Sequence, residues 1–405
     1  MPFQLSPAEE QVRKIAREYV EREIIPLRKT LENGGPSAWW EHCAIQLEKQ
    51  TALGFHLLLV PKSEGGTGLG FIARSIVIEE ITAGFPGMYD PFYRCDFGYY
   101  FAKATGGPVG KRLMEGVLKG KLRASPAITE STGGSDMMAM QSTAKKVPGG
   151  WVINGRKVFI SGGAVDFVMA LVKTGDPSDP KTKGTKALSA FIVEKGMEGF
   201  RVSRKEDTVA KKEELWELVF DNCFVDDDHL VGGENGVGRG MAPVFMTVGD
   251  IGRMTITAHL NGLTLGAYRC ASQYAREREL FGKPIGSLQA IQFRLAEMAV
   301  DLEATRSLAY RAAWLRNQGV RADTEQAVAK YFATQAAQRA TMHAVCVHGC
   351  YGVLTDYMPQ RYFRDAPVRA FAGGTDEAMK NMIGAAVLKD ANPDLSSKNM
   401  LDAGW

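Results

Sequence analysis

The sequence has no long apolar run, little cysteine and almost no net charge. No stretch approaches the roughly 20 consecutive apolar residues that a helix needs to cross a bilayer, which excludes helical membrane spans. Ser6-Pro7-Ala8-Glu9 ahead of an amphipathic run reads as a capping box with proline in the first helical turn, not as a signal peptide. The six cysteines, at 43, 95, 223, 270, 346 and 350, show no short paired spacing apart from the last two. A disulfide scaffold is therefore excluded, and reduced thiols in a cytoplasmic protein are expected. Formal net charge is +3 over 405 residues, and the densest basic cluster, Lys181 to Lys186, sits among Gly, Pro, Asp and Ser. That texture excludes a nucleic-acid-binding stripe and leaves small phosphate-bearing molecules as partners. What is present is 45% apolar content in a chain long enough for two or three domains, without internal repeats.

The apolar pattern sorts the chain into an α+β protein. From Glu9 to about Gly120 apolar residues recur every three or four positions, broken at Gly34-Gly35-Pro36, Gly65 to Gly68 and Gly106-Gly107-Pro108, which predicts an N-terminal helical domain over 1–121. Between 122 and 240 the texture changes to short runs beginning at Trp151, Phe167, Leu188 and Leu218, separated by Gly, Pro and Asp, which predicts a small, barrel-like β-sheet domain. Long amphipathic helices with little Pro or Gly then fill 241–390, as a four-helix bundle requires, and 391–405 form a peripheral tail.

Several clusters have plain readings. Gly233 to Gly240 mimics a dinucleotide fingerprint but lacks a βαβ unit and a later ribose-binding acid, so it reads as a mobile linker. His343, Cys346, His348 and Cys350 have metal-like chemistry without a common metal spacing; no metal is expected, and His348-Gly349 reads as a helix end. Thr129 and Ser135 suit an ordinary turn, Phe159 and Ser161 an alternating strand, and Asp250 with Arg253 the charge decoration of a helix opening.

Four segments change this balance when taken together. They are Ile128-Thr129-Glu130-Ser131-Thr132-Gly133-Gly134-Ser135-Asp136; Lys157-Val158-Phe159-Ile160-Ser161; Arg276 to Ile285, running on to Gln289 and Gln292; and Arg364 to Glu377. In order and spacing they resemble the acyl-CoA dehydrogenases over nearly the whole chain. The resemblance implies FAD, lined by Ile128, Thr129, Gly134, Ser135, Phe159 and Ser161. It further implies that Arg278, Phe281, Gln289 and Gln292 reach a neighbouring subunit's adenine nucleotide portion, with Thr375 over the diphosphate and Glu377 near it. Cys346 and Gly349 stand in the turn that normally serves a neighbour's diphosphate, with cysteine where the family keeps glutamine. An acyl-CoA substrate would meet Tyr89, Ser135, Asp250, Arg253, Gly373 and Gly374. A homo-oligomer, as a dimer of dimers, and an electron-transfer flavoprotein as electron acceptor complete what the family implies.

One departure matters for chemistry. Family members remove a proton α to the thioester with a glutamate placed either just before the Gly-Thr of the last motif or just before the arginine of the first bundle helix. Here those positions are Gly373 and Gly252, which cannot take a proton. The helix-breaking segment Phe85 to Phe97 instead carries two acids, Asp90 and Asp96, among five aromatics. Asp90 before Pro91 suits a turn, and Asp96 suits an ion pair with Arg94 or Arg123. Read functionally, Asp90 first and Asp96 second are bases displaced toward the γ carbon of an enoyl thioester, as in the relatives acting on cyclohexene carboxyl-CoA thioesters. The competing expectations are a reductase resembling crotonobetainyl-CoA reductase, and a flavin-binding scaffold without turnover.

Overall fold

The computed structural model describes residues 4–34, 36–175, 179–210 and 215–389; the tail expected over 391–405 lies outside them. The first stretch holds α1 (Pro7–Tyr19), α2 (Arg28–Asn33), α3 (Pro36–Ala52), α4 (Gly70–Gly84), α5 (Asp90–Thr105) and α6 (Gly107–Leu118). The middle holds β1 (Ala124–Ala127), β2 (Thr143–Val147), β3 (Gly150–Ser161), β4 (Phe167–Lys173), β5 (Leu188–Glu194), β6 (Phe200–Glu206) and β7 (Leu215–Asp226). Then come α7 (Met241–Val244), α8 (Arg253–Glu277), a hairpin of β8 (Glu279–Leu280) and β9 (Lys283–Pro284), α9 (Gln289–Asn317), α10 (Asp323–His348), α11 (Met358–Phe371) and α12 (Asp376–Lys389). The expected sequence of helical, β and helical regions is what the chain adopts, and the capping box is present, with the Ser6 hydroxyl and the Glu9 side chain each capping the other's backbone amide.

Packing divides the chain into two compact units, 1–46 with 67–89 and 252–405, and 47–66 with 90–251. In the first, α8 and α10 form the core. Ala333, Ala337, Ala340 and Ala344 bring α10 close to Leu260, Leu263 and Ala267 of α8. Small residues on one stripe permit that approach, and the leucines fill what remains. Carboxylates buried in this unit are matched by arginines: Glu79 accepts from Arg306, and Glu80 from Arg17 and Arg269.

In the second unit, seven strands run in the order β1-β4-β2-β3-β7-β6, with β5 also paired to β4. Most pairings are antiparallel, but β4 runs parallel to both β1 and β2. Its core joins Trp151, Ile153, Val168, Phe191, Leu218 and Phe220. Two sequence expectations are corrected here. The linker is held, not loose: the Gly238 amide donates to Ser189 Oγ at 2.9 Å and the Gly240 amide to the Leu188 carbonyl at 2.9 Å. The break at Phe85 is also shorter than expected. It spans 85–89 only, and Asp90 to Phe97 are helical, because Pro91 falls in the first turn of α5, where its missing N–H costs nothing.

Candidate functional site

Candidate residues fall in both units. In the unit of the sheet, the turn after β1 and the end of β3 are bound together. β3 bulges between Lys157 and Ile160, so the Val158 amide leaves the ladder and donates to the Thr129 carbonyl at 2.9 Å. Beneath the turn, the wholly buried Lys157 ammonium donates to Glu130 Oε1 at 2.6 Å and to the Ile128 carbonyl at 3.1 Å. Glu130 also accepts the amides of Gln141 and Ser142 at 2.5 and 3.1 Å. Burial opposes its charge, but Lys157 and these amides outweigh burial and hold its carboxyl below the usual range. Burial likewise draws the Lys157 ammonium below its ordinary value, against the pull of Glu130.

The bulge leaves Phe159 at φ 58 and 58% exposed. A non-glycine residue held in the left-handed region costs about 1–3 kcal/mol, and the strain puts an aromatic face in the open instead of in the core. Thr129 and Ser161 are half-buried beside the backbone pairs just described, while Gly134 and Ser135 are exposed in the turn. An exposed ring next to hydroxyls and a rigid turn fits a flat cofactor with a polar edge, so these residues suit the flavin that the family motifs imply.

Asp90 opens α5. Its two carboxylate oxygens accept a fork from Arg94, Nη2 to Oδ1 at 2.7 Å and Nε to Oδ2 at 3.0 Å. Asp96 is 2% exposed and, at six residues' distance on the helix, lies about 120° round from Asp90. Of the two arginines expected near Asp96, Arg94 pairs with Asp90, and Arg123 pairs with Asp166. Asp96 raises the Cys95 thiol further, although burial is the main reason that thiol is pushed up to about 12.

In the bundle unit, the two glycines expected at the family's glutamate positions lie close together. A side chain on Gly373 would start 3.5 Å from the Cα of Arg253, the residue after Gly252, and 3.5 Å from Ile256. Gly373 and Gly374 have φ of 68 and 105, so the turn into α12 uses conformations that side chains resist. Thr375 is half-buried, and its hydroxyl caps α12 by accepting the Ala378 amide at 3.2 Å; Glu377 is exposed. The wholly buried Lys330 spans this turn, donating to the Ala370 carbonyl at 2.7 Å and to Asp376 at 3.2 Å. Burial draws Lys330 below its ordinary value, against Asp376 and with Arg253 adding to the fall.

Asp250 and Arg253 do not open a helix as expected. The chain is already helical from Met241, and a π-helical stretch from Phe245 to Gly252 precedes α8. Arg253 is buried, so surface decoration is the wrong description of it. The neighbour-directed residues of the resemblance are exposed. Phe281 is 88% exposed at φ 57 on the β8–β9 turn, and Arg278, Gln289 and Gln292 are open. Cys346 is exposed, near the end of α10, where Gly349 terminates the helix. Tyr89 is buried, its ring centroid 5.3 Å from that of His259 in an edge-to-face arrangement, and His259 bonds Asp365 at 2.7 Å. The buried cations Lys157 and Lys330 and the π-helix escaped the sequence reading. Lys157 lay inside a quoted motif, but nothing local marked its partner 27 residues away.

Comparison with known proteins agrees with this arrangement. Models of the acyl-CoA dehydrogenase N-terminal, middle and C-terminal domains match residues 6–91, 125–223 and 238–388. A 3-(aryl)acrylate reductase of Clostridium sporogenes is 31% identical over 384 residues, covering 94% of this chain and 98% of its own length. A benzylmalonyl-CoA dehydrogenase of Aromatoleum aromaticum is 32% identical over 397 residues, covering 96% of this chain and 100% of its own. Butyryl-CoA dehydrogenase of Megasphaera elsdenii superposes with a TM-score of 0.86 at 26% identity, over 96% of this chain and 100% of that one.

Proposed function

The chain belongs to the acyl-CoA dehydrogenase family, FAD oxidoreductases acting on a CH–CH bond, and from that premise we propose that it dehydrogenates a cyclic, cyclohex-1-ene-1-carboxyl-CoA type thioester with Asp90 as base. FAD, when bound, supplies the hydride acceptor. The observation that carries the reading is the meeting of Gly373 with the Gly252–Arg253 corner, which leaves both family positions for a base without a carboxylate, while α5 carries Asp90 and Asp96. An enoyl thioester has γ hydrogens acidified by conjugation. Asp90 takes a proton from ring C3 while hydride leaves C6, a 1,4-elimination that needs no base at Cα. The partly exposed Asp90 carboxylate is already held by Arg94 in a single orientation. Asp96 is the second candidate. Ser135, Tyr89, Asp250 and Arg253 are assigned to the acyl-CoA. The aryl and benzyl groups in the names of two relatives support a ring-bearing acyl group.

Electrons pass to an electron-transfer flavoprotein, and the protein is cytoplasmic, in keeping with six cysteines that form no disulfide. No helix among the described residues is long and apolar enough to cross a membrane. One observation favours a second reading: a relative named as a reductase, together with the absent glutamate, fits an enoyl-CoA reductase whose proton comes from a weaker acid. Anaerobic mixing with saturated, straight-chain and cyclohexene-type CoA thioesters, with flavin bleaching followed, separates the two. We expect bleaching by the cyclohexene thioester and a loss of about 10²–10⁴-fold in Asp90→Asn, with FAD and ligand still bound. An Asn variant that bleaches at the parental rate removes Asp90 from the mechanism. A parent that no acyl thioester bleaches, but that is reoxidised by an enoyl thioester after reduction, is a reductase.

A further inference from the structure

We propose that Arg94 is a positioning residue for Asp90, and that Arg94, Ser125 and the Ser161 carbonyl form a clamp fixing this carboxylate to the strand end that carries Ser161. The inference rests on the reading of Asp90 as base. Every link is in one unit. Arg94 Nε and Nη2 hold both oxygens of Asp90, and Nη1 donates to Ser125 Oγ at 3.2 Å. That hydroxyl in turn donates to the Ser161 carbonyl at 2.6 Å. The Arg94 side chain is 5% exposed and that of Asp90 33%. Access therefore falls on the carboxylate, and the guanidinium stays behind it.

The guanidinium has no room to swing. The Tyr93 ring lies 5.3 Å from its Cζ, and a side-chain carbon on Gly162 would sit 2.7 Å from its Nε. Gly162 directly follows Ser161, so the same strand end that is expected to face the flavin also walls in the arginine. A bidentate fork fixes the carboxylate plane in a way a lysine cannot, because an ammonium offers a point charge without planar geometry. Each Asp90 oxygen keeps a second lone pair for the incoming proton. A carboxylate held this way abstracts from one C–H bond and not from its neighbours, so the clamp sets which hydrogen is lost.

The test uses holoenzyme and cyclohex-1-ene-1-carboxyl-CoA under anaerobic conditions. Misplacing a reacting group by about 1 Å costs on the order of 10²-fold, so Arg94→Lys should slow bleaching at saturating thioester by about that factor, with the half-saturating concentration little changed. Gly162→Ala, which keeps every charge and displaces the guanidinium, should slow it by roughly 10-fold as a smaller misplacement. In an Asp90→Asn background Arg94→Lys should cost nothing more, because its effect acts through Asp90. Added guanidinium ion should restore part of the rate to Arg94→Ala. If Arg94→Lys loses its flavin, Gly162→Ala and Ser125→Ala decide in its place. Parental bleaching rates in those variants, or full additivity with Asp90→Asn, overturn the clamp and leave the base reading standing. A wild-type protein that the cyclohexene thioester does not bleach, or an Asp90→Asn variant as fast as the parent, overturns the base reading and takes the clamp with it.

Discussion

Gly373 is the residue on which the proposed change of base can be tested most directly. Its φ of 68 suits glycine, yet the space for a side chain is open, with nearest neighbours at ordinary contact distances of 3.5 Å. Strain from a left-handed glutamate there would cost about 1–3 kcal/mol, which a chain of this size tolerates locally. Gly373→Glu should therefore fold and place a carboxylate beside Arg253. The expected outcome is a gain of flavin bleaching by a saturated, straight-chain acyl-CoA, by about 10²-fold or more over the parent, the usual range for a positioned general base. A variant that binds FAD and the thioester but bleaches no faster would mean that Gly373 does not occupy the family's base position. Around this residue, the buried Lys330 fixes both ends of the turn. Its removal would leave Asp376 without its cation, whereas Thr375 is already committed to capping α12.

Charged bridges join elements in this protein, and one of them is sensitive to pH. Arg112 of α6 holds Glu194 at the end of β5, and His229 after β7 touches Glu194 at 3.1 Å and Asp226 at 2.6 Å. Burial opposes the His229 charge, but its two carboxylate partners outweigh burial and raise it above 6.5. The His229 hydrogen bond is the largest influence on Glu194, which falls from 4.5 to about 2. A raised histidine stabilises the fold below 6.5 and loses that contribution as pH climbs through its folded value. A depressed glutamate stabilises above 4.5 and loses its contribution as pH falls toward 2. The bridge is strongest where both hold, between 4.5 and 6.5. His229→Gln should therefore lower Tm most in that window, by a degree or so corresponding to roughly 1 kcal/mol because its carboxylate partners are partly exposed, with the gap narrowing above neutrality. A gap that does not change with pH would rule out the charged form of His229. The order of helical and strand regions was legible from apolar spacing, and so were the capping box and the glycine that ends α10. The π-helix from Phe245 to Gly252 and the partners of Lys157 were not, because a π turn leaves no residue signature and a buried ion pair is decided by residues far apart in sequence. For the candidate site, the motif residues were legible. The Arg94 fork was not, since the sequence suggested that arginine for Asp96 and a turn for Asp90.

At the scale of the whole molecule, several groups assigned to a flavin are turned outward. Phe281, Arg278, Gln289 and Gln292 are exposed in one chain, which is how residues serving a neighbour's cofactor would stand. The face of α9 and α10 has the same character. An open groove of about 880 Å³ runs there, lined by Val300, Met342, Arg339 and His343 among others. Val300 and Met342 are 67% and 44% exposed along it, and Phe293, earlier on α9, is 58% exposed. Large apolar side chains grouped on a surface favour burial against a partner, and flanking ion pairs such as Arg339–Asp301 and His343–Glu297 supply a polar rim. We propose a second copy of this chain as that partner, consistent with the homo-oligomer that the family resemblance implies. The parent should then run in light scattering at a multiple of 44.2 kDa. Val300→Asp combined with Met342→Glu should lower that mass, because two buried like charges facing their own symmetry copies repel across the interface. Dissociation should also release FAD, since the exposed nucleotide-directed residues would lose the subunit they serve. A double variant that becomes monomeric yet keeps a full complement of flavin would show that each chain holds its cofactor alone, and one that keeps the parental mass would place the interface on another face.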